Sequence, residues 1–422
     1  MDYKVNIASC DDVIKALNSD EYVVVDARSS SAFIGWQLDG EPYEGHIKGA
    51  VDFSADWLRI PEKSEKVLKQ YSDKLKWRKI TSSTNVIVYD YTGEDAPIVF
   101  EFFKSQGINN LSYFSLAKWE GEMEKVKDYS AMVPVQWVKE LLDGNKPKNY
   151  LGKDFKIFTV AWKEPLKEFL EGHIPSSISI DSDEFELDAN PVWTKPSDDV
   201  LEKFALKYGI SVDTTVIIYG YNLLGIGAGA KLAVVLKYLG VKQVCLLNGV
   251  YNNWVYAGYP SESKMNEPIA CEKFGGNIPH DPSWILDIND AKRFLANPEE
   301  GQLIDIRPWE QYIGNDPGYD YITVGGHIPG SVWCWNPYFY TNPDASMCNT
   351  QEMVDCWLEN NVDINKTMAF FCGSASWGGA IIEFFGRIAG YEKASMYEGG
   401  WCEWQHDKGN PIGKGAPRCT IK

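Results

Sequence analysis

Clustered positive charge is missing from this chain. Lysine and arginine number 41 against 59 aspartates and glutamates, giving a formal net charge of −18 and a pI near 4.8. Nucleic acids and anionic membrane surfaces are held by grouped Lys and Arg, so neither is an expected partner. Long apolar runs are missing too, and none approaches the roughly 18 residues of a membrane span. The opening MDYKVNIASC has neither the basic nor the apolar region of a signal peptide. Close cysteine pairs are absent. Cys10, Cys245, Cys271, Cys334, Cys348, Cys356, Cys372, Cys402 and Cys419 are scattered and form no CxxC, which argues against a zinc ribbon, a thioredoxin-type motif and any other metal site. An odd, dispersed set in a chain of this size does not suit a disulfide scaffold. Reduced thiols in a cytoplasm are the simplest expectation; a signal peptide removed ahead of residue 1 would make it the periplasm.

What is present describes globular protein. Hydrophobic residues make up 44% and charged residues 24% of the 422 positions, a length that suits two to four domains. Sixteen tryptophans imply well-filled cores or aromatic-lined clefts.

The strongest pattern is an internal repeat. Three of the five histidines fall in the same tripeptide: Gly45-His46-Ile47, Gly172-His173-Ile174 and Gly326-His327-Ile328. Each follows a short apolar run, respectively Tyr22 to Arg28, Lys156 to Trp162 and Gln302 to Arg307. About 45 residues beyond each histidine comes a second run, ending at Asp90, Gly220 and Cys372. Helical periodicity then predicts helices over Pro97–Ser105, Gly229–Leu239 and Gly379–Ile388. Third strands follow at Leu111–Phe114, Gln243–Leu247 and Ala394–Tyr397, and turns bearing Trp119, Trp254 and Trp404 close the units. Strand, helix, strand at this spacing reads as parallel α/β sheet covered on both faces. The expected domains are 1–130, 131–272 and 273–422.

In such sheets chemistry collects beyond the carboxyl ends of the strands. The three matched strand ends carry Asp90, Gly220 and Cys372, and only the last is a nucleophile. After it come Gly373, Ser374, Ala375, Ser376, Trp377 and Gly378, leading into a helix. Small residues there let amide N–H groups turn inward as an anion nest. Such a setting is expected to lower a thiol pKa from about 8.5 to roughly 4–7.

These residues resemble the rhodanese (sulfurtransferase) family, and among its tandem members a three-domain bacterial type. The resemblance rests on Asp26-Ala-Arg28 and Asp305-Ile-Arg307, on Gly326-His327-Ile328-Pro329-Gly330-Ser331, on the loop Cys372 to Trp377, and on Glu398-Gly-Gly-Trp401 with Trp404. It implies three tandem rhodanese-like α/β domains, the first two inactive, and a ping-pong relay. Cys372 would take sulfane sulfur from a small anionic donor, thiosulfate or 3-mercaptopyruvate. It would pass that sulfur to a thiol, to cyanide or to a sulfur-carrier protein, with no cofactor required. Gly373, Ser374, Ala375, Ser376, Trp377 and Gly378 would hold the terminal sulfur, and Arg307 would hold the donor.

Cys-Gly-Ser opens the loop as in mercaptopyruvate enzymes, but Ala375, Ser376 and Trp377 depart from their Gly-Val. Ile313 stands where their second carboxylate-holding Arg is expected.

Several residues also admit plainer roles. Arg28 and Arg307 suit pairing with an acid of their own domain, the three histidines suit orienting a turn, and Cys334 and Cys402 suit packing. Gly225-Ile-Gly227-Ala-Gly229 hints at a phosphate loop, but its glycine spacing is wrong and it reads as a degenerate sulfurtransferase loop. Cysteine phosphatases share the fold, but their phosphate clamp is an Arg six positions after the Cys, where this chain has Gly378. A non-turnover sulfur carrier or a binding scaffold is the alternative function.

Overall fold

The computed structural model describes residues 6–61, 63–188, 192–334 and 340–416; Cys419 lies outside them. Each of the three repeats forms a five-stranded sheet. In the third copy the order is Ile285–Leu286, Ala394–Tyr397, Thr367–Phe371, Gly301–Asp305 and Val332–Trp333, parallel at every step. The first copy repeats that order with Asn6–Ile7, Leu111–Ser115, Asn85–Asp90, Tyr22–Asp26 and Val51–Asp52. The second does so with Met132–Val133, Gln243–Leu247, Thr214–Ile218, Asp154–Ala161 and Ser177–Asp181. The central strands are apolar because both of their faces are covered: Met368 to Phe371 and Thr214 to Ile218 are buried throughout.

The Gly-His-Ile segments share one geometry. His46, His173 and His327 stack on Phe33, Phe169 and Tyr312 at 3.7, 4.0 and 4.2 Å between ring centroids. The Nδ1 of each lies 2.8, 2.8 and 2.9 Å from the carbonyl of that same aromatic residue. A carbonyl only accepts, so Nδ1 carries the proton and the ring pins the turn. The closing tryptophans also correspond: Trp254 and Trp404 each donate Nε1–H at 2.9 Å to a proline carbonyl, Pro260 and Pro411. They lie on the short helices Tyr251–Tyr256 and Gly400–His406 rather than on turns.

The second copy departs from the sequence reading at its glycine-rich stretch. The helix expected from Gly229 begins at Leu223 and runs to Leu239, because Asn222 Oδ1 accepts the Gly225 N–H at 3.0 Å and caps it. The glycines are contact points. A Cβ on Gly229 would lie 2.8 Å from Ile218 of its own sheet, and one on Gly227 only 3.3 Å from the Cβ of Trp377. The stretch is where a helix of the second copy meets the third.

The chain divides into two compact units. One holds Met1–Met132 with Thr341–Glu352; the other holds Val133–Tyr340 with Met353–Lys422. The first unit fastens Thr341–Glu352 through buried charge: Glu352 meets Arg78 at 2.7 Å and Lys74 at 3.0 Å, and Asp52 meets Arg78 at 2.6 Å. Among the described residues no helix is long and apolar enough to cross a membrane.

Candidate active site

Cys372 leaves the carboxyl end of the Thr367–Phe371 strand at the centre of the third sheet. The neighbouring Gly301–Asp305 strand, in register with it, delivers Arg307 to the same edge. The Trp377–Ile388 helix starts one loop later without a side-chain cap, so its first amides have no partner within the helix. Gly378, in that first turn, would bring a Cβ within 3.8 Å of the Cys372 Cβ. Cys372 is half-buried, and its Sγ–H donates to the Ser374 carbonyl at 3.5 Å.

The first copy displays what this loop geometry can hold. At the matched strand end, Asp90 accepts the amides of Gly93, Asp95 and Ala96 at 2.9, 2.9 and 2.8 Å, and the Tyr113 hydroxyl at 2.9 Å. The loop wraps an anion with backbone donors, and here the anion is its own carboxylate. In the second copy the place is closed: a Cβ on Gly220 would stand 2.6 Å from the Gly225 backbone.

A cavity of about 610 Å³ opens beside Cys372. Gly373, Ser374, Ala375, Trp377, Gly378 and Arg307 line it, together with Trp162, Glu186, Trp193, Tyr319 and Tyr321. Ser376 is the expected loop residue that stays out. It is fully buried and donates its hydroxyl to the Tyr397 carbonyl at 2.5 Å. Ser374 faces the cavity and shares a hydrogen bond with the Tyr321 hydroxyl at 2.7 Å. Gly373 has no side chain because the Tyr319 ring lies against it, 2.3 Å from where a Cβ would sit. Tyr319 in turn stacks on Tyr321 at 5.3 Å. The charge of a Cys372 thiolate, and burial after it, push the Tyr319 phenol upward, so it stays a neutral proton carrier beside the sulfur.

Arg307 serves its own domain first. Its Nη2 meets Asp305 at 2.6 Å and the Gly326 carbonyl at 2.7 Å, as Arg28 meets Asp26 and the Gly45 carbonyl in the first copy. The two differ at Nη1. In Arg28 it pairs with Glu41 at 2.6 Å; in Arg307 it is buried without a partner among the described residues. One buried donor is thus left uncommitted.

Motif reasoning did not reach the second copy's share of this site. Glu186 is almost completely buried, and burial pushes its carboxyl up to about 7 against the opposing charge of Lys231. It accepts the Trp377 indole N–H at 3.0 Å. Lys231, buried on the Leu223–Leu239 helix, donates to the Ala375 carbonyl at 3.0 Å. The sequence signal was available, since Lys231 is the one charge in the run from Leu223 to Leu236.

Residues 9–121, 135–257 and 288–407 each match the rhodanese-like domain family. The chain belongs to the rhodanese family. It is 31% identical over 399 residues to the thiosulfate sulfurtransferase YnjE of Escherichia coli, which covers 93% of this chain and 88% of that protein. Identity to the thiosulfate sulfurtransferase of Bos taurus is 26% over 288 residues, 66% of this chain and 93% of that one. Among solved structures it resembles the anaerobic ergothioneine biosynthesis enzyme of Chlorobium limicola in complex with trimethyl histidine. The TM-score is 0.90 at 29% identity, covering 98% of this chain and all of that one. A structure of EanB with ergothioneine linked to a persulfide cysteine matches equally well, with a TM-score of 0.90 at 28% identity over 98% of this chain and 100% of that chain. This rhodanese is a sulfurtransferase built from three copies of the fold.

Proposed function

We propose that Cys372 is the sulfur-carrying nucleophile. The observation that carries this reading is its position: a thiol at the mouth of an uncapped helix, on the strand end where the first copy cradles the Asp90 carboxylate with three amides. The thiolate attacks the outer sulfur of an anionic donor. With thiosulfate the S–S bond breaks and sulfite leaves with the electron pair; with 3-mercaptopyruvate the C–S bond breaks and the carbanion is protonated to pyruvate. Either way a Cys372 persulfide remains. The donor's negative group lies toward Arg307, which lines the cavity, and the loop amides from Gly373 to Gly378 stabilise the terminal sulfur. A thiol or cyanide acceptor then attacks that sulfur and restores the thiolate.

A second reading of the acceptor is favoured by the cavity wall. Trp162, Trp193, Tyr319, Tyr321 and Trp377 surround the space, and Glu186 adds a carboxylate. Aromatic faces with a counter-charge suit a quaternary ammonium group, as in the trimethyl histidine bound by the EanB-type relative. In that case the persulfide sulfur replaces hydrogen on an imidazole carbon, and the hydrogen returns to the cysteine sulfur. The balance needs no external oxidant.

The test has three arms: thiosulfate or 3-mercaptopyruvate with cyanide, the same donors with a thiol, and either donor with trimethyl histidine. Mass spectrometry of the donor-treated protein should show an adduct of about 32 Da on Cys372, lost in Cys372→Ser together with turnover. An adduct that no acceptor discharges would mark a sulfur carrier. No adduct with any donor would sink the reading.

A further inference from the structure

We propose that Lys231 of the second copy is a positioning residue for the Cys372 loop. It holds the Ala375 carbonyl outward so that the amide of the same peptide plane engages the Ser374 carbonyl, the oxygen that the Cys372 thiol also meets. This rests on the reading of Cys372 as nucleophile.

The peptide between Ala375 and Ser376 carries the argument. A trans peptide directs its C=O and N–H oppositely. The carbonyl points to Lys231 Nζ at 3.0 Å. The N–H of Ser376 therefore points to the other side, where it meets the Ser374 carbonyl at 2.6 Å. That same oxygen receives the Cys372 thiol at 3.5 Å, so the Ser376 amide and the sulfur converge on one carbonyl. Once the thiol is ionised, a carbonyl is a poor neighbour for it and an amide a good one.

The plane needs an external hold. Ala375 and Ser376 adopt φ of +52° and +51°, a region that side-chain-bearing residues resist. Lys231 is fully buried, and its shortest hydrogen bond is this one. Its other neighbours are Met396 Sδ and Glu186 Oε1, both at 3.7 Å, with the buried Glu383 and Glu398 also within its field. An ammonium holds a carbonyl more strongly than a neutral donor does. Among the described residues, the titratable and charged groups that line the cavity with the sulfur are Glu186, Arg307, Tyr319, Tyr321 and Tyr340.

Lys231→Met keeps the length of the side chain and removes the donor. Lys231→Met with Glu186→Gln also removes a carboxylate that the lost ammonium would leave uncompensated. Iodoacetamide alkylation of Cys372, followed by mass spectrometry from about pH 5 to about pH 10, reads the loop directly. We expect the midpoint to rise by about one pH unit in both variants. We expect kcat to fall about tenfold with the donor KM changed by less than about threefold. Lys231→Arg, with its donor displaced, should shift the midpoint by an intermediate amount, and it supplies the measurement if neither methionine variant folds. An unchanged midpoint and kcat in a folded variant overturn the proposal. A wild-type protein that never takes up sulfur overturns only the functional reading beneath it, because the alkylation comparison is still made.

Discussion

Trp377 donates its indole N–H to the Glu186 carboxylate, at 3.0 Å to one oxygen and 3.2 Å to the other. Trp377 opens the helix that follows the Cys372 loop, and Glu186 belongs to a copy with Gly220 at the matched strand end. The second copy therefore supplies part of the wall of the cavity beside Cys372.

Glu186 also makes stability depend on pH in a predictable direction. Burial raises its carboxyl from 4.5 to about 7. Between those values the folded chain keeps a proton that the unfolded chain has released, so stability falls as pH rises through this window. Glu186→Gln cannot ionise. Its unfolding free energy relative to wild type should grow from about pH 5 to about pH 8 and then level. Urea denaturation across that range tests this, and a difference independent of pH would refute it.

Asp90→Asn should weaken the first copy. One acceptor oxygen becomes an NH2 group facing amide donors that now point at hydrogens. Loss of charged hydrogen bonds of this kind costs about 2–3 kcal/mol, measurable as a lower urea midpoint at unchanged slope.

Gly373→Ala should damage chemistry more than folding. The new methyl would meet Tyr319 at 2.3 Å, and a ring at the cavity edge can swing aside. Displacing reacting groups by about 1 Å costs up to roughly 100-fold in rate. We expect kcat to fall by at least about tenfold while the melting temperature stays near wild type. A variant as active as wild type would show that Tyr319 has no part in turnover.

Arg307 substitutions should separate its two roles. Arg307→Met strands the fully buried Asp305 without its partner, a loss of about 3–5 kcal/mol visible by denaturation. Arg307→Lys keeps the charge but gives up the fork of donors. Its signature should be a raised donor KM in steady-state assays with a smaller loss of stability.

The repeat, the central strands and the lone thiol were legible because local patterns encode them. Gly-His-Ile recurs because the same ring stacks in the same turn three times, and the Met368–Phe371 run is apolar because both faces of its strand are covered. Glu186, Trp193, Tyr319 and Tyr321 were not legible. Each reaches the cavity through tertiary contacts far apart in sequence, and no spacing rule links them to Cys372. The Ser376 side chain stays out of the cavity for a related reason: two successive left-handed residues turn it inward, which composition does not announce. The glycines from 225 to 229 looked like loop chemistry, whereas packing between helix and sheet, and between copies, explains them.

The carboxylate of Asp90 makes the first copy a cradle permanently filled by its own occupant. Such a cradle has its amides committed to Asp90 and offers no thiol to take up sulfur. Titration of active centres should accordingly end at one equivalent per chain, however many times the fold is repeated.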